Sequence, residues 1–101
     1  MSVVTELSPD GHKLTISIKG RFDFGRHQEF RHSYEQLSKK PDSIVVDLKD
    51  ATYLDSSALG MLLLLRDHAG GDASDIRVIN SNNDVKKILA ISNFDKLFDI
   101  S

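Results

Sequence analysis

Residues Ile44 to Leu65 read IVVDLKDATYLDSSALGMLLLL. The short β-branched run Ile44, Val45, Val46 and Leu48 suits a strand buried on both faces, as at the centre of a parallel or mixed sheet. A few residues later Asp55-Ser56-Ser57 opens a strongly apolar segment. This predicts a helix from about Ser56 to His68, stopped by Gly70-Gly71. A strand that feeds a helix in this way puts their junction at the carboxyl end of the sheet, where α/β domains gather their sites.

The first amides of a helix have no partner within it, and the macrodipole makes that end partly positive. The plain use of Asp55 or Ser56 is therefore as an N-cap. Two features argue for more. A cap needs one side-chain oxygen, and here two hydroxyls follow the carboxylate. The Glu or Gln of a capping box is also missing, because Leu59 stands three residues after Ser56 and Gly60 three after Ser57. A phosphate on either hydroxyl would add roughly −1.5 to −2 charges at pH 7 and meet the free amides. Asp55 is adjacent, and Asp23, Asp47 and Asp50 are expected near the same edge, so the modified surface would be strongly anionic. Gly60 costs about 1 kcal/mol inside a helix relative to Ala. Tight packing against the core explains it, as does the close approach of a partner. Met61 to Leu65 is apolar on nearly all sides, so most of it is expected in the core, with one flank left for a partner.

Upstream, Val3 to Leu7 reads as a strand, and Pro9-Asp10-Gly11 as a turn. Leu14, Ile16 and Ile18 alternate with polar residues, which completes a hairpin that Gly20 is expected to end. Phe22-Asp23-Phe24-Gly25 reads as a connecting loop. Phe30, Tyr34 and Leu37 mark one face of an amphipathic helix closed by Pro41-Asp42. Downstream, Ile76, Val78 and Ile79 form a strand. Asn80-Ser81-Asn82-Asn83 offers caps for a helix striped by Val85, Ile88 and Leu89. Leu97, Phe98 and Ile100 give a last short strand or helix end. The order ββαβαβα with a short tail predicts one α/β domain over residues 1–101. Its mixed, mostly parallel sheet has four to five strands and carries three or four helices.

Composition narrows the function. The 101 residues carry 13 basic and 15 acidic side chains, a formal charge of −2, with no basic stripe to suit a nucleic acid. Cysteine is absent, which removes disulfides and thiolate metal sites. Met1 to Asp10 lacks the pattern of a signal peptide. Ala58 to Leu65 is far shorter than the ~20 apolar residues that span a bilayer, so the expected location is cytoplasmic, without membrane insertion. A serine hydrolase would need a base beside Ser56 or Ser57. His12, His27, His32 and His68 lie in no nucleophile motif, and there is no G-x-S-x-G. His27 and His32 are five apart, about 140° around a helix, so they are no metal pair. No glycine loop of the Walker type is present. Neither catalysis nor a cofactor is expected.

Three stretches resemble the STAS domain of bacterial anti-sigma factor antagonists. They are Gly20-Arg21-Phe22-Asp23, Val45-Val46-Asp47-Leu48 and above all Leu54-Asp55-Ser56-Ser57-Ala58-Leu59-Gly60. The likeness runs in order from about Leu14 to Ile100. It implies a STAS-like fold and a phosphoacceptor at the first Ser after the Asp, Ser56, with Ser57 as second choice. Asp23, Asp55, Ser56, Ser57, Ala58 and Gly60 would form the partner-binding surface. Ala58 departs from the Gly of many members, a change expected to alter how closely a partner approaches. The mechanism implied is partner switching. The unphosphorylated chain binds an anti-sigma factor, often itself a serine kinase, and frees a sigma factor. Phosphorylation ends binding, and a metal-dependent serine phosphatase restores it. Arg21-Phe22-Asp23-Phe24 and the segment Asn93 to Ile100 resemble single-domain members of Gram-negative bacteria, which implies flagellar or motility–biofilm signalling. The alternative within the fold is a STAS subunit that regulates a transporter or a lipid-trafficking ATPase complex. A monomer is the expected state.

Overall fold

A computed structural model of the chain describes residues 3–37 and 40–100, so residues 1, 2, 38, 39 and 101 of the expected domain lie outside it. Five strands form one sheet in the order β1 (Val3–Leu7), β2 (Lys13–Phe22), β3 (Ser43–Leu54), β4 (Ile76–Ile79), β5 (Asp99–Ile100). The pair β1–β2 is antiparallel, and the other three pairs are parallel. Three helices, α1 (His27–Glu35), α2 (Ser56–His68) and α3 (Asn83–Ile91), make the crossovers. This is a small α/β domain with the mostly parallel sheet that the alternation of strands and helices predicts.

Neighbouring strands follow one another in sequence, so right-handed crossovers place all three helices on one face. Burial agrees. Leu14, Ile16, Ile18, Ile44, Val46, Leu48, Ile76 and Val78 are buried, whereas the alternate Thr15, Ser17, Asp47 and Arg77 remain half-buried or exposed. The expectation that Ile44 to Leu48 is buried on both faces is thus corrected. Only Val45 is buried on the far face of that run, because no crossover reverses direction to lay a helix there.

Three boundaries also differ. Strand β2 passes through Gly20 and ends at Phe22, whose ring packs on Phe30 with centroids 5.1 Å apart. Helix α1 stops at Glu35, well before Pro41; Leu37 packs against the core from outside the helix. Strand β3 runs on to Leu54, because two irregularities let it keep pairing with β2. Ser17 and Lys19 pair with Asp47 and Asp50, and Gly20 and Arg21 with Ala51 and Tyr53. Each time β3 carries one extra residue, the count of a β-bulge. These extra residues bring Leu54 level with Phe22, so the two central strands end side by side.

Candidate functional site

The side-by-side ends of β2 and β3 set out the site. Phe22 pairs with Leu54, and the next residue on each strand is an aspartate that starts a helical turn. Asp23 accepts the Gly25 N–H at 3.0 Å and heads the short turn Phe24–Arg26 that leads into α1. Asp55 accepts the Ala58 N–H at 3.0 Å and heads α2. Two partly positive helix starts therefore lie next to one another, each capped by a carboxylate.

The choice of cap that the residue types leave open is settled by this geometry. Asp55 has the extended backbone of an N-cap, and Ser56 is the first helical residue. Neither serine hydroxyl makes a hydrogen bond among the described residues. Ser56 is exposed and Ser57 half-buried. The Asp55 carboxylate satisfies the third helical amide, and the first two, on Ser56 and Ser57, are free as at any helix start. An anion attached at Ser56 would find them.

Around the barrel of α2, at 100° per residue, Ala58, Met61, Leu62 and Leu65 face the sheet and are buried. Ser56, Gly60, Leu63 and Asp67 line the outer side, with Leu64 and Leu59 on its flanks. Leu63 and Leu64 are 40% and 50% exposed. The uncovered apolar flank expected for Met61 to Leu65 is therefore present, on the face that carries Ser56. A Cβ on Gly60 would meet nothing within 4 Å. Core packing does not account for this glycine.

Ala58 is corrected. Its methyl is fully buried, because the third residue of α2 faces the sheet, so a partner cannot touch it. Asp47 and Asp50 do not join the site either. They stand eight and five residues before Asp55 on β3, roughly 26 and 16 Å along a strand. With Val4, Ser17, Ile18, Lys19 and Lys49 they line a cleft of about 180 Å³ elsewhere. Asp47 is engaged there by the Asn80 side-chain amide at 3.1 Å. Asp23, Asp55, Ser56, Ser57 and Gly60 remain together.

Three side chains extend the surface beyond those expected. Arg21 lies level with Tyr53, its guanidinium 4.0 Å from the ring centroid, and its Nε is 3.3 Å from Asp23. Phe24 is 72% exposed and stacks on His27 with centroids 5.7 Å apart. An aromatic ring beside Asp23 in a loop is a visible signal; the register that joins Arg21 to Tyr53 is not. No cluster of three metal-binding side chains occurs among the described residues, and none of their helices is long and apolar enough to cross a membrane.

The family model described as "Mlab, STAS domain" matches residues 5–99. The chain belongs to the STAS domain family. A STAS-domain containing protein of Pseudomonas aeruginosa (strain UCBPP-PA14) is 60% identical over the whole of both chains. Among solved structures, a candidate anti-sigma factor antagonist of Thermotoga maritima superposes with a TM-score of 0.82 at 18% identity, over 97% of this chain and 84% of that one. The STAS domain of a SulP transporter from Vibrio cholerae gives 0.64 at 13% identity, over 84% and 70%. At these identities the two structures share the STAS fold with this chain.

Proposed function

We propose that this STAS domain is an anti-sigma factor antagonist that acts by partner switching, with Ser56 as the switch. The observation that carries the reading is the division of labour at the start of α2. Asp55 supplies the cap, so the Ser56 hydroxyl stands exposed beside free amides at the head of a partly apolar face. The resemblance of Leu54 to Gly60 to the family's phosphoacceptor motif selects Ser56 over Ser57.

In this mechanism the unmodified chain presents Asp23, Asp55, Ser56, Ser57 and Gly60 to an anti-sigma factor that is itself, or works with, a serine kinase. Phosphorylation leaves the fold in place, because the helix start stabilises the phosphate. It changes the charge of the docking face by roughly −1.5 to −2. Weakening the complex 100- to 1000-fold requires about 2.7–4.1 kcal/mol. One like-charge contact in a desolvated interface supplies several kcal/mol. A metal-dependent serine phosphatase resets the cycle. The chain acts in the cytoplasm as a substrate and binding module, without chemistry of its own.

Capture of the anti-sigma partner by wild type, Ser56→Ala and Ser56→Asp tests this. Wild type and Ser56→Ala are expected to retain the partner and Ser56→Asp to lose it; equal capture by all three overturns the switch. The mention of Mlab by the family model favours one second reading, a subunit of a lipid-trafficking ATPase complex. In that case an ATPase subunit from a membrane fraction would co-purify instead, whatever stands at Ser56.

A further inference from the structure

Strand β1 lies at one end of the sheet and pairs only with β2 among the described residues. Its outer row of N–H and C=O groups therefore has no strand beside it. Sheets usually guard such an edge with a lysine, a proline, a bulge or a covering helix. Strand β1 has none of these. Val3 to Leu7 reads VVTEL, with Glu6 as its one charge. Its register with β2 runs unbroken from Val3 to Leu7. The helices also stop short of it. Thr5 and Leu7 pair with Ile16 and Leu14, which are buried under the helical layer, yet Thr5 is exposed and Leu7 is 45% exposed. On the bare face of the sheet Val4 is 43% exposed. The sheet's other end, β5, is only two residues long.

An edge of this kind takes a strand, and β1 is matched to its own copy. Laid antiparallel with a two-fold axis at Thr5, two β1 strands set Thr5 against the partner's Thr5, Val3 against the partner's Leu7, and Val4 against the partner's Glu6. Every side chain keeps its face: Val3, Thr5 and Leu7 on the helical side, Val4 and Glu6 on the bare side. A Thr–Thr pair is favourable across strands. The one charge does not face itself, because the two Glu6 stand diagonally, roughly 8 Å apart. We propose that β1 is a self-association edge and that its occupant is a second copy of this chain, which joins the two five-stranded sheets into one. The bonds run from backbone to backbone, so they do not depend on the even spread of charge from which a monomer is expected. A pairing this short offers about four backbone hydrogen bonds, against about ten in a standard interface. The dimer is therefore weak and reversible. The axis sets the two β2 strands antiparallel, and Phe22 lies six residues beyond Ile16, roughly 20 Å. The two Ser56 edges then point away from each other and both stay open, so the self-association does not rest on the Ser56 reading.

The absence of cysteine allows the register to be read by cross-linking. Facing Cα atoms of an antiparallel pair are about 4.5–5.5 Å apart, within reach of a disulfide, whereas the roughly 8 Å between diagonal positions exceeds it. Thr5→Cys is expected to oxidise to a linked dimer on its own. Val4→Cys and Glu6→Cys, made as separate proteins, should link several-fold faster mixed than alone. Sedimentation equilibrium of the unmodified chain is expected to show a monomer–dimer equilibrium. Thr5→Lys and Thr5→Glu each set like charges face to face and should weaken it about tenfold, or ~1.4 kcal/mol. An equimolar mixture of the two should restore it, since opposite charges then meet. Thr5 is exposed, so both variants should melt close to the wild-type temperature, and their loss of association is not unfolding. A mass that stays at the monomer's 11.3 kDa up to millimolar concentration, cross-linking without preference for the mixture, or no recovery on mixing the charged variants overturns the proposal.

Discussion

Asp55 and Ser56 are neighbours in different surroundings, one bonded to the helix start and the other exposed without a partner, and substitution separates them. Asp55→Ala removes the acceptor of the Ala58 amide. The expected cost is about 1 kcal/mol, a fall of roughly 4–8 °C in the melting midpoint for a domain of this size. Ser56→Ala takes away a hydroxyl without a partner and should stay within about 0.5 kcal/mol of wild type. Thermal melts of the two variants check the assignment, and equal losses would contradict it. Gly60→Ala should raise stability by up to about 1 kcal/mol in urea titration, since its Cβ enters open space. At this scale the residue types announce a helix start and a capping oxygen. They do not say which of Asp55 and Ser56 turns back to the amides. That depends on the backbone at Asp55, extended at ψ −175°, which no pattern of residue types contains. The burial of Ala58 was equally hidden until the angle of α2 on the sheet was known.

Helix α2 shows both what periodicity reveals and where it fails. Its bounds, Ser56 to His68, are those expected from the apolar run and its glycine stop. Its faces could not be read, because Met61 to Leu65 has no polar residue to mark the outside. The structure resolves them into a testable contrast. Leu62→Ala, fully buried, should cost about 2–5 kcal/mol, and its neighbour Leu64→Ala, half exposed, within about 0.5 kcal/mol. Denaturant midpoints at equal slope would report both. Strand β3 is the opposite case. Its first half is a visible apolar run, but Lys49 to Tyr53 alternates poorly because the extra residues opposite β2 shift the inward-facing positions. In α1 the apolar spacing overran the element, since Leu37 reaches the core without being helical.

For the whole molecule, strand order decides which residues meet at the edge where α2 begins. Sequential strands with parallel crossovers put every helix on one side, and the extra residues in β3 bring Asp23 and Asp55 to adjoining helix starts. The alternation of strands and helices makes the fold class legible in the chain. The meeting of Asp23 with Asp55, and the exclusion of Asp47 and Asp50 from their edge, follow from register and had to be seen in three dimensions. On the proposed mechanism this edge carries one regulated hydroxyl. Mass-spectrometric mapping of phosphate on the protein isolated from cells, wild type beside Ser56→Ala, tests it most directly. The expected result is a single phosphate on Ser56 in the wild type and none on this edge in Ser56→Ala. Phosphate on Ser57 in both proteins, or on neither serine under any growth condition, would contradict it.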